Sequence, residues 1–180
     1  IEKGSLVDAI RRFPVNMVFF TTPDLLVIGE LPLVCSREKP TRLEALKYYR
    51  LVTEHFRLQT RLYERVEEAR AVNGHFKLES SYQRGQRGEP EDITAKKLVV
   101  ATGYYDSPNL IGVLGEDLPK VSHYFTEPHP YYGLKTAVIG GANSAAETAL
   151  ELYRAGVEVV LIHRGKELST HIKYWVRPDI

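Results

Sequence analysis

The sequence has 180 residues, 24 Lys and Arg against 23 Asp and Glu, and 43% hydrophobic side chains. That supports one sizeable core or two small ones, and the near-neutral charge gives no electrostatic reason to expect a nucleic-acid partner. The single cysteine excludes an internal disulfide framework and a two-cysteine redox pair within the chain, and suits a reducing, cytoplasmic compartment.

No apolar run approaches the roughly 18 residues needed to cross a bilayer, so no membrane partner is expected. No signal peptide is visible, although the first residue is Ile rather than Met and the opening reads as mid-domain.

In chain order, "IEKG" reads as the end of a strand. Ser5 to Phe13 predicts a short helix with Ser5 as N-cap. After an irregular Pro- and Thr-containing segment, "LLVIG" predicts a short strand. "PTRLEALKYYRLVTEHF" predicts a helix, because Thr41 and Glu44 fit a capping box and Leu43, Leu46, Tyr49, Val52 and Phe56 follow the helical repeat.

From Thr60 to Val100 the period changes. "RLYERVEEARAVNGHFKLESSY" predicts a hairpin turning at Asn73-Gly74, which is scaffold in its simplest reading. "RGQRGEPED" is a polar loop, and "ITAKKLVVATG" ends in small apolar residues suited to a buried parallel strand. Asp106 to Leu134 holds four of the ten prolines and three glycines, a composition that suits a crossover between domains.

The most informative stretch is "AVIGGANSAAETALELYRAGVEVVLIHRG". Gly140 follows the apolar strand Ala137-Val138-Ile139, and a helix is expected from about Ser144 to Ala155. Gly140 can make a tight turn, and the small Ala145 lets helix and strand approach closely. Backbone N–H groups at the helix start then face an anion, aided by the helix dipole. The pattern departs from G-x-G-x-x-G, because Ala142 stands at the second glycine and Gly141 comes one place early. A strand-to-helix turn without ligand is the bland alternative. Glu147 is read as an acid in the first helical turn, favoured there by the dipole alone.

The next strand, Val157 to Ile162, ends in His163-Arg164, about 20 residues after the turn, where the ribose of an adenosine would lie. An acid there would bind ribose hydroxyls and repel a 2′-phosphate. Arg164 instead offers a planar, permanently charged fork matched to phosphate oxygens. The expectation is selection of NADPH over NADH, with His163 adding a hydrogen bond or stacking on adenine and Lys166 a weaker phosphate candidate. A solvated basic strand end is the alternative. Glu2 places a second acid at a strand end, which spacing alone leaves open.

Taken together, "IEKG", "KPTRLEALKYYR", "YERV", "VVATGYYDSPN", "HYFTEPHPY", "VIGGANSA" and "IHRG" resemble flavoproteins with two dinucleotide-binding domains, related to thioredoxin reductase. They are most similar to the YpdA-type bacillithiol disulfide reductases. The resemblance runs essentially from end to end and implies an α/β fold of two Rossmann-like domains, both incomplete in this chain. It implies a partial FAD-binding domain over residues 1–115, and the crossover with the first half of an NADPH-binding domain over 116–180. FAD would be held through Glu2 and Lys3, through backbone around Val66 at the adenine, and through Thr102 and Gly103 near the flavin. NADPH would lie on Gly140, Gly141, Ala142, Asn143, Ser144 and Ala145, with His163 and Arg164. Hydride would pass from NADPH to the flavin and on to sulfur.

Departures bound that implication. Thioredoxin reductase carries a C-x-x-C pair between "ATG" and the second glycine turn; this chain has "HYFTEPHPYYG" there, which excludes a thioredoxin-type mechanism. The redox cysteine of the YpdA-type proteins lies in a first glycine turn outside these residues. Cys35 reads as a small packed residue. His123 and His129 sit in the crossover without metal-ligand spacing, as hinge or packing groups rather than catalysts. An electron acceptor, small molecule or protein, is the expected partner, a disulfide favoured, and homo-oligomerisation stays open. A ferredoxin–NADP reductase, a flavin monooxygenase and a non-enzymatic nucleotide-sensing or structural module are the competing readings. A partial sheet leaves apolar faces uncovered, so these 180 residues alone are expected to be inactive.

Overall fold

A computed structural model describes residues 1–82 and 92–180; the predicted polar loop over 84–92 lies outside the described residues except for Asp92. The chain divides into two compact units, residues 1–13 with 17–123, and residues 14–16 with 124–180.

In the first unit, helix α1 spans Asp8–Arg11 and helix α2 Arg42–His55. The capping box of α2 is complete. Glu44 N–H donates to Thr41 Oγ1 at 3.2 Å and Glu44 Oε2 accepts from Thr41 N–H at 2.8 Å. Oε1 of the same carboxylate accepts from Ser36 N–H at 2.8 Å. These backbone hydrogen bonds from Thr41 and Ser36 hold the Glu44 carboxyl at about 2.

The buried stripe of α2 is Ala45, Tyr48 and Val52, the last two packed with Leu33, whereas Leu43 and Phe56 are exposed. The stripe is therefore rotated from the predicted one, for a polar reason. Tyr48 Oη accepts from Ile28 N–H at 2.7 Å and donates to Leu31 O at 2.9 Å, so its ring goes inward with both hydroxyl functions satisfied.

Two short elements differ from expectation. Helix α1 begins after Val7, which occupies the N-cap at φ 48°. Ser5 is not its cap; Ser5 N–H and Oγ donate to the Asp8 carboxylate at 3.1 and 2.9 Å. Burial pushes the Asp8 carboxyl up, but hydrogen bonds from Arg11 and Ser5 outweigh it and bring the group to about 2. "LLVIG" is no strand. Leu25 and Leu26 close a 3₁₀ turn, Pro23–Leu26, and Ile28 makes a single antiparallel bridge to Leu31 around Gly29 at φ 61°. Proline at the first turn position and a left-handed glycine favour the bend.

Strands β1 (Glu64–Val72), β2 (His75–Tyr82) and β3 (Ile93–Ala95) form an antiparallel sheet in sequence order. Asn73 and Gly74 turn at φ 48° and 78°, the pair of positive values a two-residue hairpin turn needs. A bulge interrupts the register between Val66 and Glu68. Glu64 is fully buried, accepting from Ser80 Oγ and from Arg61 Nε, each at 2.6 Å. The predicted buried strand at Leu98–Val100 is not formed. No strand among the described residues pairs with it, and Val99 and Val100 are 86% and 73% exposed. Further on, the Glu116 carboxylate accepts from Ile111 and Gly112 N–H and meets His123 Nε2 at 3.0 Å.

In the second unit, β4 (Lys135–Ile139) and β5 (Glu158–Ile162) pair in parallel and α3 (Asn143–Arg154) connects them. The helix packs on both strands and presents Ala146 and Leu150 to Ile172 and Val176, with Leu168 and Trp175 against the cluster. The register Ile139↔Ile162 places the glycine turn and the His163-Arg164 pair at the same end of the two strands.

Candidate functional site

The turn after β4 is built by close approach. Gly140 N–H donates to Ile162 O at 2.9 Å, closing the ladder. Gly140 sits at φ 148°, and a Cβ there would stand 2.8 Å from the Cβ of Ala145. Glycine at 140 and a small residue at 145 are thus one requirement, met from two sides. Helix α3 starts at Asn143, with Ala142 as an N-cap that offers no side-chain bond. The first bond into the helix runs from Ala146 N–H to Ala142 O, 3.0 Å, which leaves the N–H groups of Gly141 to Ala145 without an intrahelical partner. An anion is the natural partner of such an end.

Gly141 has a definite role that sequence reasoning missed. A Cβ at Gly141 would come 2.3 Å from His163 Nδ1, and one at Gly165 would come 2.7 Å from His163 Nε2. The imidazole therefore lies against both glycines. Gly141 O accepts from Ser169 N–H at 2.8 Å.

Asn143 is also engaged by its own chain. Its Oδ1 accepts from Lys173 N–H at 2.7 Å and its Nδ2 donates to His171 O at 3.1 Å. Glu147 is the fifth residue of α3, beyond the first turn where it was expected. Its carboxylate meets the Nζ of the buried Lys173 at 2.5 Å. Arg164 and Lys166 are exposed, and neither forms an ion pair or hydrogen bond among the described residues.

The first unit gathers a second set of predicted residues. Glu2 joins the main chain beside β1, donating from N–H to Arg61 O at 2.8 Å and accepting at O from Glu64 N–H at 3.0 Å. Its carboxylate accepts from Gly4 N–H at 2.9 Å. Lys3 pairs with Asp106, and Arg12 pairs with the other oxygen of the same carboxylate. Hydrogen bonds from Lys3 and Arg12 push the Asp106 carboxyl below its usual range. The Arg12 guanidinium lies 5.8 Å from the centre of the Tyr105 ring, and Phe13 meets that ring edge-on at 4.8 Å.

"IEKG" and the loop after Thr102-Gly103 thus converge on Asp106. No spacing rule signals that meeting, because the partners are 103 residues apart. A cavity of about 290 Å³ opens beside them, lined by Lys3, Arg11 and Arg12 against the single carboxylate of Asp8. Gly103 adopts φ 67° with open space around it, so glycine is needed there for its backbone alone. Val66 lies at the bulge of β1, 39% exposed.

The lone thiol, Cys35, is half-buried and its Sγ donates to Arg37 O at 3.0 Å. His129 is exposed at the start of a 3₁₀ turn, His129–Tyr131. Among the described residues no helix is long and apolar enough to cross a membrane.

Comparison with known proteins gives a consistent result. The family model for pyridine nucleotide-disulphide oxidoreductase matches residues 1–180. Bacilliredoxin reductase Bdr of Bacillus subtilis is 41% identical over 180 residues, covering 99% of this chain and 53% of the relative. The solved structure of bacillithiol disulfide reductase Bdr (YpdA) from Bacillus cereus matches with a TM-score of 0.92 at 42% identity, over 98% of this chain and 54% of that one. Its counterpart from Staphylococcus aureus matches with a TM-score of 0.90 at 39% identity, over 98% and 52%. The chain spans about half the length of these relatives, and over that span it shares their α/β fold of dinucleotide-binding units.

Proposed function

The chain belongs to the pyridine nucleotide-disulphide oxidoreductase family, and from that premise we propose that the whole protein is a flavin-dependent enzyme, passing hydride from NADPH to FAD and on to a low-molecular-weight disulfide of the bacillithiol type. The observation that carries the cofactor side of this reading is the uncapped start of α3, at the same strand end as an Arg164 that forms no ion pair or hydrogen bond among the described residues. An open row of N–H groups suits a pyrophosphate, and a strand end carrying a guanidinium in place of an acid suits a 2′-phosphate. The disulfide side is supported by the 41% identity to a bacilliredoxin reductase.

In this reading residues 116–180 serve NADPH. The N–H groups of Gly141 to Ala145 face the pyrophosphate, Arg164 holds the 2′-phosphate with Lys166 near it, and His163 flanks the turn. Residues 1–115 serve FAD. The Glu2 carboxylate has capacity beyond its bond from Gly4 and accepts from ribose hydroxyls. Lys3 is held by Asp106, the Val66 backbone meets adenine at the bulge, and the open backbone at Thr102-Gly103 faces the flavin side. Bound FAD supplies the electron chemistry, while the chain supplies alignment and charge. A cytoplasmic enzyme follows from that role.

The test uses a protein of the relatives' full length. NADPH oxidation that depends on bacillithiol disulfide supports the proposal. Reduction of ferredoxin, or oxygen-dependent product formation without disulfide turnover, replaces it with one of the other flavoenzyme readings. Binding of FAD and NADPH without flavin reduction makes the protein a non-enzymatic nucleotide binder.

A further inference from the structure

Residues 163–168 run between two fixed points. Upstream, Ile162 is the last residue of β5, and its carbonyl accepts from Gly140 N–H. Downstream, Ser169 N–H is bonded to Gly141 O at 2.8 Å. From there the chain is fastened over the start of α3. The Asn143 amide takes Lys173 N–H and gives to His171 O, Lys173 Nζ reaches Glu147 at 2.5 Å, and Ile172 and Val176 enter the core beside Ala146 and Leu150. The donor on one side and the acceptor on the other fix which way the amide faces. Between the two fixed points lie the cations Arg164 and Lys166, both exposed.

We propose that Asn143 is a positioning residue for nucleotide selection: its side-chain amide fastens the far end of the loop carrying Arg164 and Lys166, and so pre-places their charges, rather than binding the cofactor through that amide. The proposal rests on the NADPH reading given above. Its physical basis is preorganisation. A loop anchored at both ends loses little freedom when its cations meet a phosphate, whereas a loop released at Ser169–Lys173 must be ordered by the ligand. The penalty falls on the ligand that uses the loop. A direct ligand of the pyrophosphate would behave differently, since NADPH and NADH share that group and would lose equally.

The experiment measures KM for NADPH and NADH in the full-length holoenzyme for Asn143→Ala, Ser169→Pro and Arg164→Ala. Ser169→Pro removes the N–H that reaches Gly141 O while leaving the turn's own sequence intact, so it stands in if Asn143→Ala does not fold. The expected result is a preference for NADPH over NADH reduced roughly three- to tenfold by either loop variant, and more by Arg164→Ala. Equal loss for both nucleotides in the loop variants, or no loss in either, overturns the positioning role. If Arg164→Ala itself leaves the preference intact, the NADPH reading falls first, and the positioning role with it.

Discussion

The imidazole of His163 fills the space a side chain at Gly141 would occupy: a Cβ there would stand 2.3 Å from the ring. This explains why the glycine turn has its second glycine one place early. Replacing Gly141 by Ala should displace the imidazole and loosen the following loop. His163 is exposed, so the ring can rotate away, and the stability change should stay under about 1 kcal/mol while the KM for NADPH rises severalfold. Gly140→Ala should behave oppositely. Its φ of 148° and the rigid Cβ of Ala145 at 2.8 Å predict a stability loss of about 1–3 kcal/mol, read as a lower thermal midpoint. An unchanged midpoint in Gly140→Ala would count against the close-approach account.

Arg164→Ala should weaken NADPH while leaving NADH nearly unaffected. A lost charge-assisted contact is worth about 1.5–3 kcal/mol, roughly 10- to 100-fold in affinity. Titration of both nucleotides against the purified holoenzyme checks this, and equal weakening would remove the guanidinium from the phosphate site.

Asp106→Asn should loosen FAD. The carboxylate holds Lys3 and Arg12 together, and the neutral amide keeps the shape while discarding the charge that both cations face. Release of flavin fluorescence on dilution should be faster than in the parent protein. Identical retention would show that the loop after Gly103 does not steady the Glu2-Lys3 segment.

Glu44→Gln tests the cap of α2 and its pH dependence. The amide keeps one acceptor for the Thr41 N–H but loses the charge and the second acceptor oxygen that meets Ser36, which should destabilise by about 1 kcal/mol at neutral pH. Because the folded-state pKa is depressed from 4.5 to about 2, the charge contributes fully above 4.5 and its contribution fades as pH falls toward 2. The gap in urea midpoint between parent and variant should therefore be flat from pH 5 to 8 and narrow below 4.5. A gap that persists unchanged to pH 2 would assign the stabilisation to shape alone.

Tyr48→Phe should cost about 1–2 kcal/mol, because it strands the Ile28 N–H and the Leu31 carbonyl together. A thermal midpoint equal to the parent's would mean that water replaces the hydroxyl.

These residues also mark how far the sequence could be read. Helix α2, the hairpin at Asn73-Gly74 and the β4–turn–α3–β5 unit were legible because their signals are local: a cap three residues from its partner, two left-handed turn residues, a glycine between strand and helix. What depends on distant partners was not. Nothing local separates Tyr48 from Tyr49, and only the main chain near residues 28–31 decides which ring is buried. Leu98–Val100 has strand composition but no neighbouring strand among the described residues. Lys3 with Asp106, and Asn143 with His171 and Lys173, are meetings made by the fold. In the candidate site the glycine turn and the basic pair could be read in advance; the groups that steady them could not.

The fully buried carboxylate of Glu64 acts as a checksum on hairpin alignment. Both of its oxygens are satisfied only when Ser80, reached from the facing strand, and Arg61, just upstream, donate to them. Sliding β2 by a single residue would carry the Ser80 hydroxyl to the opposite face and leave the buried carboxylate short of one donor while Arg61 stays paired, a fault worth about 1–3 kcal/mol. A slipped hairpin thus carries an unsatisfied buried acceptor that the native alignment does not.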